Sequence, residues 1–386
     1  MARQRDEEWN EERKNNYDRS SDVDAAQKSK SGGCLAKNKC IIFFVFLGLL
    51  GGAAGTLIGV FGIEEMKSWV GLGSSEEASE GAGDPAENED VPAPDYLFSQ
   101  CPSSGDCCNG LASNCDLKVN EVLYATVHNA NHDDRTAFSN NIFPLEDAIT
   151  AGYRGLMLDV CKCPNEQDEL EVIFCHGLCG IGTRDPVEVF TNINTFLNDN
   201  SNEMLMINFE LSVGDPTPAE LWAAINEVNE ISSKTYDHTG GSWPTMKQMQ
   251  DNNEQLILFK HGGTSCLNDV SGDCVSKIEE FHAFAVETKY QFKNVAEVEN
   301  ENNSCVENRG SGGTKEFYAI NNFVENLIAA PSEAGSKTVN EKVFLTNRLA
   351  ECETTTSLKA NFIAVDFWHL GDVIEVVQEE NKLRGV

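Results

Sequence analysis

Short apolar runs recur from residue 122 onward, and stretches with helical periodicity separate several of them. DPVEVFTNINTFLNDN and PAELWAAINEVNEI have the spacing of amphipathic helices, and Asp185 is placed to cap the first. The apolar runs have the length and composition of buried strands. There are eight: VLYATVH (122–128), GLMLDVC (155–161), LEVIFCH (170–176), EMLMINFEL (203–211), QLILFKH (255–261), FAVET (284–288), EFYAINNF (316–323) and NFIAVDFW (361–368).

This alternation of strand and helix predicts parallel strands joined by crossover helices. Eight such strands predict an α/β fold closed into a (β/α)₈ TIM-type barrel. An open, doubly wound sheet is the main alternative, but no glycine-rich phosphate loop follows the first strand. We therefore place the barrel domain at residues 99–386.

A different hydrophobic pattern precedes the barrel. Residues 41–63 form a run of 23 residues without a charge. Such a run is long enough to cross a hydrocarbon core of about 30 Å as a transmembrane helix. A cleaved signal peptide would be shorter and nearer the start, so we expect an uncleaved signal anchor. Lysines precede the run and glutamates follow it, which predicts a single-pass membrane protein with a cytoplasmic N-terminus and an extracellular or luminal barrel.

The segments on either side of this run lack the composition of a folded core. Residues 1–40 are highly charged, and we expect a disordered cytoplasmic tail. Residues 64–98 are acidic and rich in Gly, Ala and Pro, as in an extended stalk. Gly51, Gly55 and Gly59 recur at every fourth position of the transmembrane run, a spacing that permits weak homodimerisation through close helix contact.

The net charge of the chain limits the kinds of partner that it can bind. The chain has a formal charge of −33, of which residues 1–40 contribute +1 and the rest −34. This charge excludes nucleic-acid binding, which needs a basic surface against phosphate. It also opposes contact with bare anionic lipid unless cations bridge the two surfaces.

Cysteine usage agrees with an oxidising compartment. Of fourteen Cys, twelve lie between Cys101 and Cys352, an even number on the side predicted to be extracytoplasmic, so disulfides are expected. Zinc binding is the competing interpretation of the CKC and CHGLC motifs. Cys34 and Cys40, beside the membrane run, are candidates for palmitoylation or for free thiols. Asn302 begins an N-glycosylation sequon.

Ionisable side chains collect where the predicted strands end. In a barrel these C-terminal ends form the active site, and burying so many polar groups without a shared task would be costly. Two histidines with carboxylates suit phosphodiester cleavage, because one imidazole can deprotonate a hydroxyl while the other protonates the leaving alkoxide. The residues at these positions are His128 with Asn129, Asp159, His176, Glu210, Lys260 and Asp366.

Several motifs around these residues resemble the phosphatidylinositol-specific phospholipase C X-domain superfamily, and most closely the phospholipase-C-like phosphodiesterases of plants, fungi and protists. The resemblance implies a distorted TIM barrel that cleaves the glycerol–phosphate bond of inositol phospholipids, with the inositol 2-hydroxyl as internal nucleophile. The motifs occur in order as TVHNA (126–130), GYRGLMLDV (152–160), HG (176–177), MINFEL (206–211), SWPTMKQMQDNNEQLILF (242–259) and NFIAVDFWHLGDVIEVVQEEN (361–381).

The resemblance also implies a role for each matching residue. His128 corresponds to the general base, His176 to the general acid and Asp366 to the carboxylate that braces the base. The positions of calcium ligands in the calcium-dependent relatives are held by Asn129, Asp159 and Glu210.

Three positions depart from the family pattern. Calcium-dependent relatives have an acid at the position of Met157, and calcium-independent bacterial relatives have an arginine at that of Cys161 and a basic residue at that of Glu210. With no arginine and a glutamate present, calcium bound by three protein oxygens, water and phosphate is the more economical counter-charge, as compared with Lys162 or Lys260.

The sequence therefore predicts a membrane-anchored extracytoplasmic phosphodiesterase acting on phosphatidylinositol-type lipids. Two alternatives stay open. One is a glycerophosphodiester or sphingomyelin phosphodiesterase, against which Met157 counts. The other is a catalytically silent ectodomain that binds a lipid headgroup or a protein. The remaining histidines, including His132, His261 and His282, are interpreted as surface or packing residues.

Overall fold

A computed structural model of the chain describes residues 106–134, 136, 138–211, 214, 216–262, 274–326 and 330–385. The predicted tail, transmembrane run and stalk lie outside these residues, as do Gly51, Gly55, Gly59, Cys34 and Cys40. No helix within the described part of the chain is both long enough and apolar enough to cross a membrane.

The described residues contain a nine-stranded sheet, in which eight strands run parallel in the order β6-β5-β4-β2-β1-β9-β8-β7. All eight apolar runs contain a strand, and β6 is an addition that the sequence pattern did not predict. The strands are β1 Tyr124–Val127, β2 Gly155–Pro164, β3 Leu170–Phe174, β4 Leu205–Leu211, β5 Leu256–His261, β6 Ile278–Glu280, β7 Ala285–Glu287, β8 Phe317–Asn321 and β9 Phe362–Val365.

β3 is not a barrel strand, so the sequence interpretation of residues 170–176 is wrong in this respect. It pairs antiparallel with β2, with Val160 opposite Phe174. Only residues 165–169 separate the two strands. A loop of this length can join antiparallel neighbours but cannot hold the crossover that parallel neighbours require. β2 and β3 therefore form a hairpin that extends beyond the sheet.

The prediction of a fully closed barrel is also corrected. Among the described strands, no pairing joins β6 to β7, so the curled sheet has an open seam there. One helical turn, Phe281–Phe284, is all that links these two three-residue strands. Such a short link cannot provide a parallel crossover. The chain thus forms a parallel, barrel-like α/β sheet with one unpaired seam.

Helices cover the outside of the curl. Asp185 caps α2 as predicted, accepting a hydrogen bond of 2.8 Å from Val187 N, whereas α3 ends at Ile225, earlier than its periodicity indicated. The helices of the described residues are α1 Leu145–Thr150, α2 Pro186–Asp199, α3 Pro218–Ile225, α4 Ile231–Lys234, α5 Met246–Asn252, α6 Phe281–Phe284, α7 Val295–Glu299, α8 Glu301–Ser304, α9 Glu333–Val339, α10 Lys342–Thr356 and α11 Val373–Arg384.

Strand alternation decides which side chains face the inside of the curl. In β4, Leu205, Ile207 and Phe209 pack in the large core beneath the helices, while Met206 belongs to a second, aromatic-rich cluster. Because successive side chains in a strand point to opposite faces, Glu210 shares the inner face with Met206. The same alternation in the other strands sends polar residues at their C-terminal ends toward one pocket.

Disulfides hold the β2–β3 hairpin together. Cys161 pairs with Cys175 and Cys163 with Cys179, so the alternative of zinc binding by the CKC and CHGLC motifs is wrong. Oxidation of these thiols removes the thiolates that zinc would require. The other described cysteines are disulfide-bonded too: Cys108 with Cys115, Cys305 with Cys352, and also Cys107 and Cys274.

Candidate active site

The polar pocket lies at the C-terminal ends of the parallel strands. His128 directly follows β1, and Asp366 directly follows β9. These two strands pair in parallel, with Val127 opposite Val365, so the next residue of each strand emerges at the same edge. This register brings together two residues 238 positions apart in sequence.

His128 is held in one orientation. Its Nδ1 lies 2.8 Å from Asp366 Oδ1, and both side chains are buried. Asn140 Nδ2 donates to the same carboxylate oxygen at 2.9 Å. The ring of Phe323 stacks on the imidazole with 3.7 Å between centroids. An Nδ1–H donated to the carboxylate leaves the Nε2 lone pair directed at the pocket, which is the arrangement of a general base.

Tyr290 contacts that Nε2 atom. Its hydroxyl lies 2.9 Å from His128 Nε2 and 3.3 Å from Glu210 Oε2. Burial, and then the charge of Glu210, raise the pKa of Tyr290 well above its ordinary value, so the phenol stays protonated. Tyr290 therefore occupies the position that a substrate hydroxyl would need to reach in order to be deprotonated.

The hairpin delivers His176 to the same pocket. Cys175 N donates to Asp159 O at 3.1 Å, which fixes the end of the hairpin beside β2. The His176 ring lies against His132, with 4.4 Å between centroids. Burial, followed by the charges of His132 and His128, lowers the pKa of His176 to about 4. His132 is in turn joined through Asn140 to His128, so the two imidazoles belong to one cluster.

Asn140 links the two halves of the pocket. Besides donating to Asp366, it accepts a hydrogen bond through Oδ1 from His132 Nδ1 at 3.1 Å. The sequence interpretation of His132 as a surface or packing residue missed this role, although the residue is indeed fully buried. No periodic pattern marks Asn140, because it lies in the irregular loop between β1 and α1.

Two adjacent carboxylates face the pocket from neighbouring strands. Asp159 and Glu210 are register partners in β2 and β4. Burial and then Glu210 raise the pKa of Asp159 to about 7. Asn129 Nδ2 donates to Asn140 Oδ1 at 3.3 Å, and no donor to its amide oxygen occurs among the described residues. Two carboxylates and one amide oxygen are ligands that suit a hard cation, so this donor set fits calcium.

Arg309 supplies a positive charge that the sequence analysis did not anticipate. Its Nη1 lies 3.8 Å from Glu210 Oε1, and its guanidinium lies 3.9 Å above the Tyr290 ring. The residue comes from the glycine-rich loop between β7 and β8, which carries no family motif. Cation–π contact and ion pairing together direct this arginine toward the pocket.

The two lysines considered as counter-charges have other partners. Lys162 Nζ pairs with Glu220 Oε1 at 2.5 Å on the outer side of the hairpin. Lys260 Nζ donates to Gly262 O at 2.8 Å. Successive side chains in a strand point to opposite faces of the sheet. Cys161 and Cys163 lie on the pocket face, so the side chain of Lys162 between them points away from the pocket. Arg309 is thus the better-placed cationic side chain.

The raised pKa of Asp159 makes a prediction about stability. The folded protein keeps a proton that the unfolded chain has lost between pH 4 and pH 7, so this group destabilises the fold as the pH rises through that range. In calcium-free buffer, we expect Asp159→Asn to increase the free energy of unfolding by about 2–4 kcal/mol at pH 8 and to change it little near pH 4. Chemical denaturation across this pH range measures the difference.

Asp251→Asn, on the exposed surface of α5, is the control and should show no such pH dependence. An Asp159→Asn protein no more stable than wild type at pH 8 would show that Asp159 carries no buried charge.

Comparison with known proteins places the chain in a family. The model of the PI-PLC X domain, PI-PLC X 1, matches residues 114–381. No protein with a curated description matches the chain significantly.

Solved structures with a similar fold are phosphatidylinositol-specific phospholipases C. The Listeria monocytogenes enzyme has 14% sequence identity and a TM-score of 0.46, with 75% of this chain and 97% of that one covered. A mutant of the Staphylococcus aureus enzyme has 12% identity and a TM-score of 0.45, with 74% and 97% covered. The family match extends from before β1 to within the last helix and includes every strand of the sheet, so the chain belongs to the PI-PLC X family.

Proposed function

We propose that this protein is a membrane-anchored, extracytoplasmic phosphodiesterase that cleaves phosphatidylinositol-type lipids by general acid–base catalysis. The observation that carries the proposal is the buried His128–Asp366 pair, at 2.8 Å, joined through Asn140 and His132 to His176 in a PI-PLC X chain. Residues 41–63 would provide the anchor, with the N-terminus in the cytoplasm.

In the first step His128 acts as the base. With Nδ1–H donated to Asp366, the Nε2 lone pair can accept the proton of the inositol 2-hydroxyl as that oxygen attacks phosphorus. Asp366 stabilises the imidazolium that forms. Tyr290 must give up its 2.9 Å contact with Nε2 to let the hydroxyl bind. It can then donate to Glu210, whose carboxylate already lies 3.3 Å away.

His176 acts as the acid in the same displacement. It must carry a proton and pass it to the glycerol oxygen as the phosphorus–oxygen bond breaks. In the free protein its pKa of about 4 keeps the ring neutral near pH 7. A phosphate anion beside the ring favours the imidazolium, so substrate binding raises the pKa and charges the acid.

Positive charge must offset the phosphoryl oxygens as the nucleophile attacks. Arg309 is directed at the pocket by Glu210 and Tyr290, and it is the cationic side chain that we assign to this task. Asn129, Asp159 and Glu210 would hold calcium, which when bound supplies further positive charge and keeps Asp159 ionised. A calcium-dependent activity is therefore part of the proposal.

One observation favours the alternative of a silent binding ectodomain. The Tyr290 hydroxyl contacts Nε2 of His128, the nitrogen that would accept the substrate's proton, as it would in a protein that never deprotonates a substrate. Substrate hydroxyl groups can replace a phenol at such a position, so the contact alone does not argue against catalysis.

Turnover by the purified full-length protein in detergent micelles tests the proposal. The panel is phosphatidylinositol, glycerophosphoinositol, sphingomyelin and phosphatidylcholine, each with calcium and then with chelator. In calcium we expect cleavage of phosphatidylinositol with release of diacylglycerol, and little cleavage of the other three compounds. Cleavage of none of the four would sink the enzymatic proposal, and preference for sphingomyelin or glycerophosphoinositol would replace the substrate.

A further inference from the structure

A second cluster of ligating side chains lies beside the catalytic pocket. It consists of His261 at the end of β5, His282 in α6 and Glu287 at the end of β7, and its ligating atoms all lie within 4.8 Å of one another. His282 Nε2 is 2.8 Å from Glu287 Oε1, and His261 Nδ1 is 3.7 Å from the same oxygen. Both imidazoles thus converge on one carboxylate oxygen.

Glu287 is oriented so that this oxygen stays available. Its Oε2 atom accepts hydrogen bonds from Arg309 Nη2 at 2.8 Å and Asn321 Nδ2 at 2.9 Å. The carboxylate is almost completely buried, with 1% of its side chain exposed. The Arg309 guanidinium places a positive charge directly beside it. Oε1 is therefore a fixed anionic ligand that faces the two histidines.

His261 presents a buried lone pair to the same space. Its side chain is 9% exposed, and Nδ1 has no hydrogen-bond partner among the described residues. Its Nε2 lies 2.6 Å from Asn208 Nδ2, which donates to it in the orientation shown. Half a turn of that amide places Asn208 Oδ1, otherwise without a donor, against Nε2–H. In this tautomer Nδ1 carries no proton, so two acceptors, His261 Nδ1 and Glu287 Oε1, face each other with no hydrogen between them.

His282 also has a polar group near its second ring nitrogen. Its Nδ1 lies 3.8 Å from Glu280 Oε1, and the Glu280 side chain is buried. At 3.8 Å this carboxylate does not hydrogen-bond the ring, but its negative charge favours a proton on Nδ1 when Nε2 binds a cation. His282 Nε2 already bonds Glu287 Oε1 at 2.8 Å, and a bound cation would replace the hydrogen between these two atoms.

The cluster spans the open seam of the sheet. His261 belongs to the β5 side, Glu287 belongs to β7, and His282 lies in the helical turn that joins the two edges. No backbone pairing connects β6 and β7 among the described strands. A ligand bound by all three residues would join the two edges of the sheet at the point where no backbone hydrogen bonds do.

We propose that His261 Nδ1, His282 Nε2 and Glu287 Oε1 bind one divalent transition-metal ion of the zinc class, which ties the two edges of the seam together. Two imidazoles and one carboxylate are a ligand set that zinc favours, with water as the fourth ligand, whereas calcium prefers oxygen ligands alone. Ligands about 2 Å from a tetrahedral ion are about 3.3 Å apart, so small side-chain rotations close the cluster around it.

This site is separate from the calcium position proposed above but adjoins it. Arg309 bonds Glu287 through one nitrogen and lies 3.8 Å from Glu210 through another. The metal would thus hold the carboxylate that positions Arg309 over Tyr290. Its role is structural positioning, and the metal is not expected to contact the substrate.

Metal binding by the full-length protein tests the proposal without any activity assay. The protein carries Cys34→Ser and Cys40→Ser, which remove competing thiols, and is dialysed against zinc or cobalt alone. We expect one ion per chain, a cobalt spectrum typical of four-coordinate nitrogen and oxygen ligation, and a higher Tm with zinc. Excess calcium should not displace the ion.

Three variants make the test specific. His282→Ala should weaken zinc binding by at least about 100-fold, and Asn208→Ala, which removes only the partner of His261, by about 10–100-fold. The control is His369→Ala, whose ring packs against Phe143 and Phe367 and not against the cluster, so the zinc affinity should be unchanged.

Absence of a stoichiometric zinc ion from folded wild-type protein would overturn the proposal. Equal zinc affinity in wild type and His282→Ala would overturn it as well. Should His282→Ala fail to fold, Asn208→Ala and the wild-type cobalt spectrum decide the question, and a spectrum without imidazole ligation counts against the site. Loss of zinc binding leaves the phosphodiesterase proposal to its own assay.

Discussion

Replacing His128 with alanine is expected to lower kcat for phosphatidylinositol cleavage by about 10³- to 10⁴-fold. The variant loses the imidazole placed to accept the nucleophile's proton, and Asp366 cannot replace it because it lies behind the ring on the Nδ1 side. Asp366→Asn should cost less, since the imidazole remains but loses the carboxylate that stabilises its charged form. Steady-state rates on micellar phosphatidylinositol measure both effects.

The control for this prediction is His238→Ala, which removes a buried imidazole that lies outside the pocket. It should keep wild-type activity. Thermal unfolding of each variant separates loss of chemistry from loss of fold. A folded His128→Ala protein that retains a tenth of wild-type activity would exclude His128 as the base.

The second large effect depends on the leaving group. His176→Ala should lower the rate on phosphatidylinositol by about 10²- to 10⁴-fold, because the glycerol alkoxide leaves only when protonated. On an aryl ester of inositol phosphate the phenolate leaves without a proton, so His176→Ala should lose less than about tenfold. His128→Ala should be inactive on both substrates, since the nucleophile still needs its base.

The neighbouring imidazole provides the matched comparison. His132 lies 4.4 Å from His176 between ring centroids but is fully buried, so its replacement by Gln should not discriminate between the two leaving groups. Equal losses of His176→Ala on both substrates would assign His176 a structural role. If His132→Gln, and not His176→Ala, lost more activity on phosphatidylinositol than on the aryl ester, His132 would be the general acid.

Pattern and periodicity predicted most of the sheet, for physical reasons that the structure makes clear. Long runs such as 203–211 are buried on both faces over most of their length in a parallel sheet and are therefore mostly apolar. The three-residue strand β6 is too short to produce such a signal. The composition of residues 170–176 predicted a strand, but not whether it pairs parallel or antiparallel with its neighbour. Only the short loop before it indicates a hairpin.

The candidate site was likewise only partly predictable from the sequence. His128, Asp159, Glu210 and Asp366 could be placed together from the sequence, because parallel register brings strand ends to one edge. Their catalytic and calcium-binding roles remain predictions.

Loop residues could not be placed by such reasoning. Asn140, Tyr290 and Arg309 reach the pocket from irregular segments, and only the packed fold determines which of many polar loop residues face inward. The same holds for His261 and His282, which the sequence alone assigned to surface or packing. Their convergence on Glu287 depends on the unpaired seam, a feature that no local pattern encodes.

Phosphorus NMR of the first product formed from phosphatidylinositol tests the central claim most directly. Two imidazoles that serve an internal hydroxyl and a leaving alkoxide on one phosphorus must produce a cyclic inositol phosphate before any acyclic phosphate appears. We predict a cyclic phosphodiester as the initial product of the full-length protein in calcium. An acyclic inositol phosphate from the first turnover, with oxygen taken from water, would contradict the account.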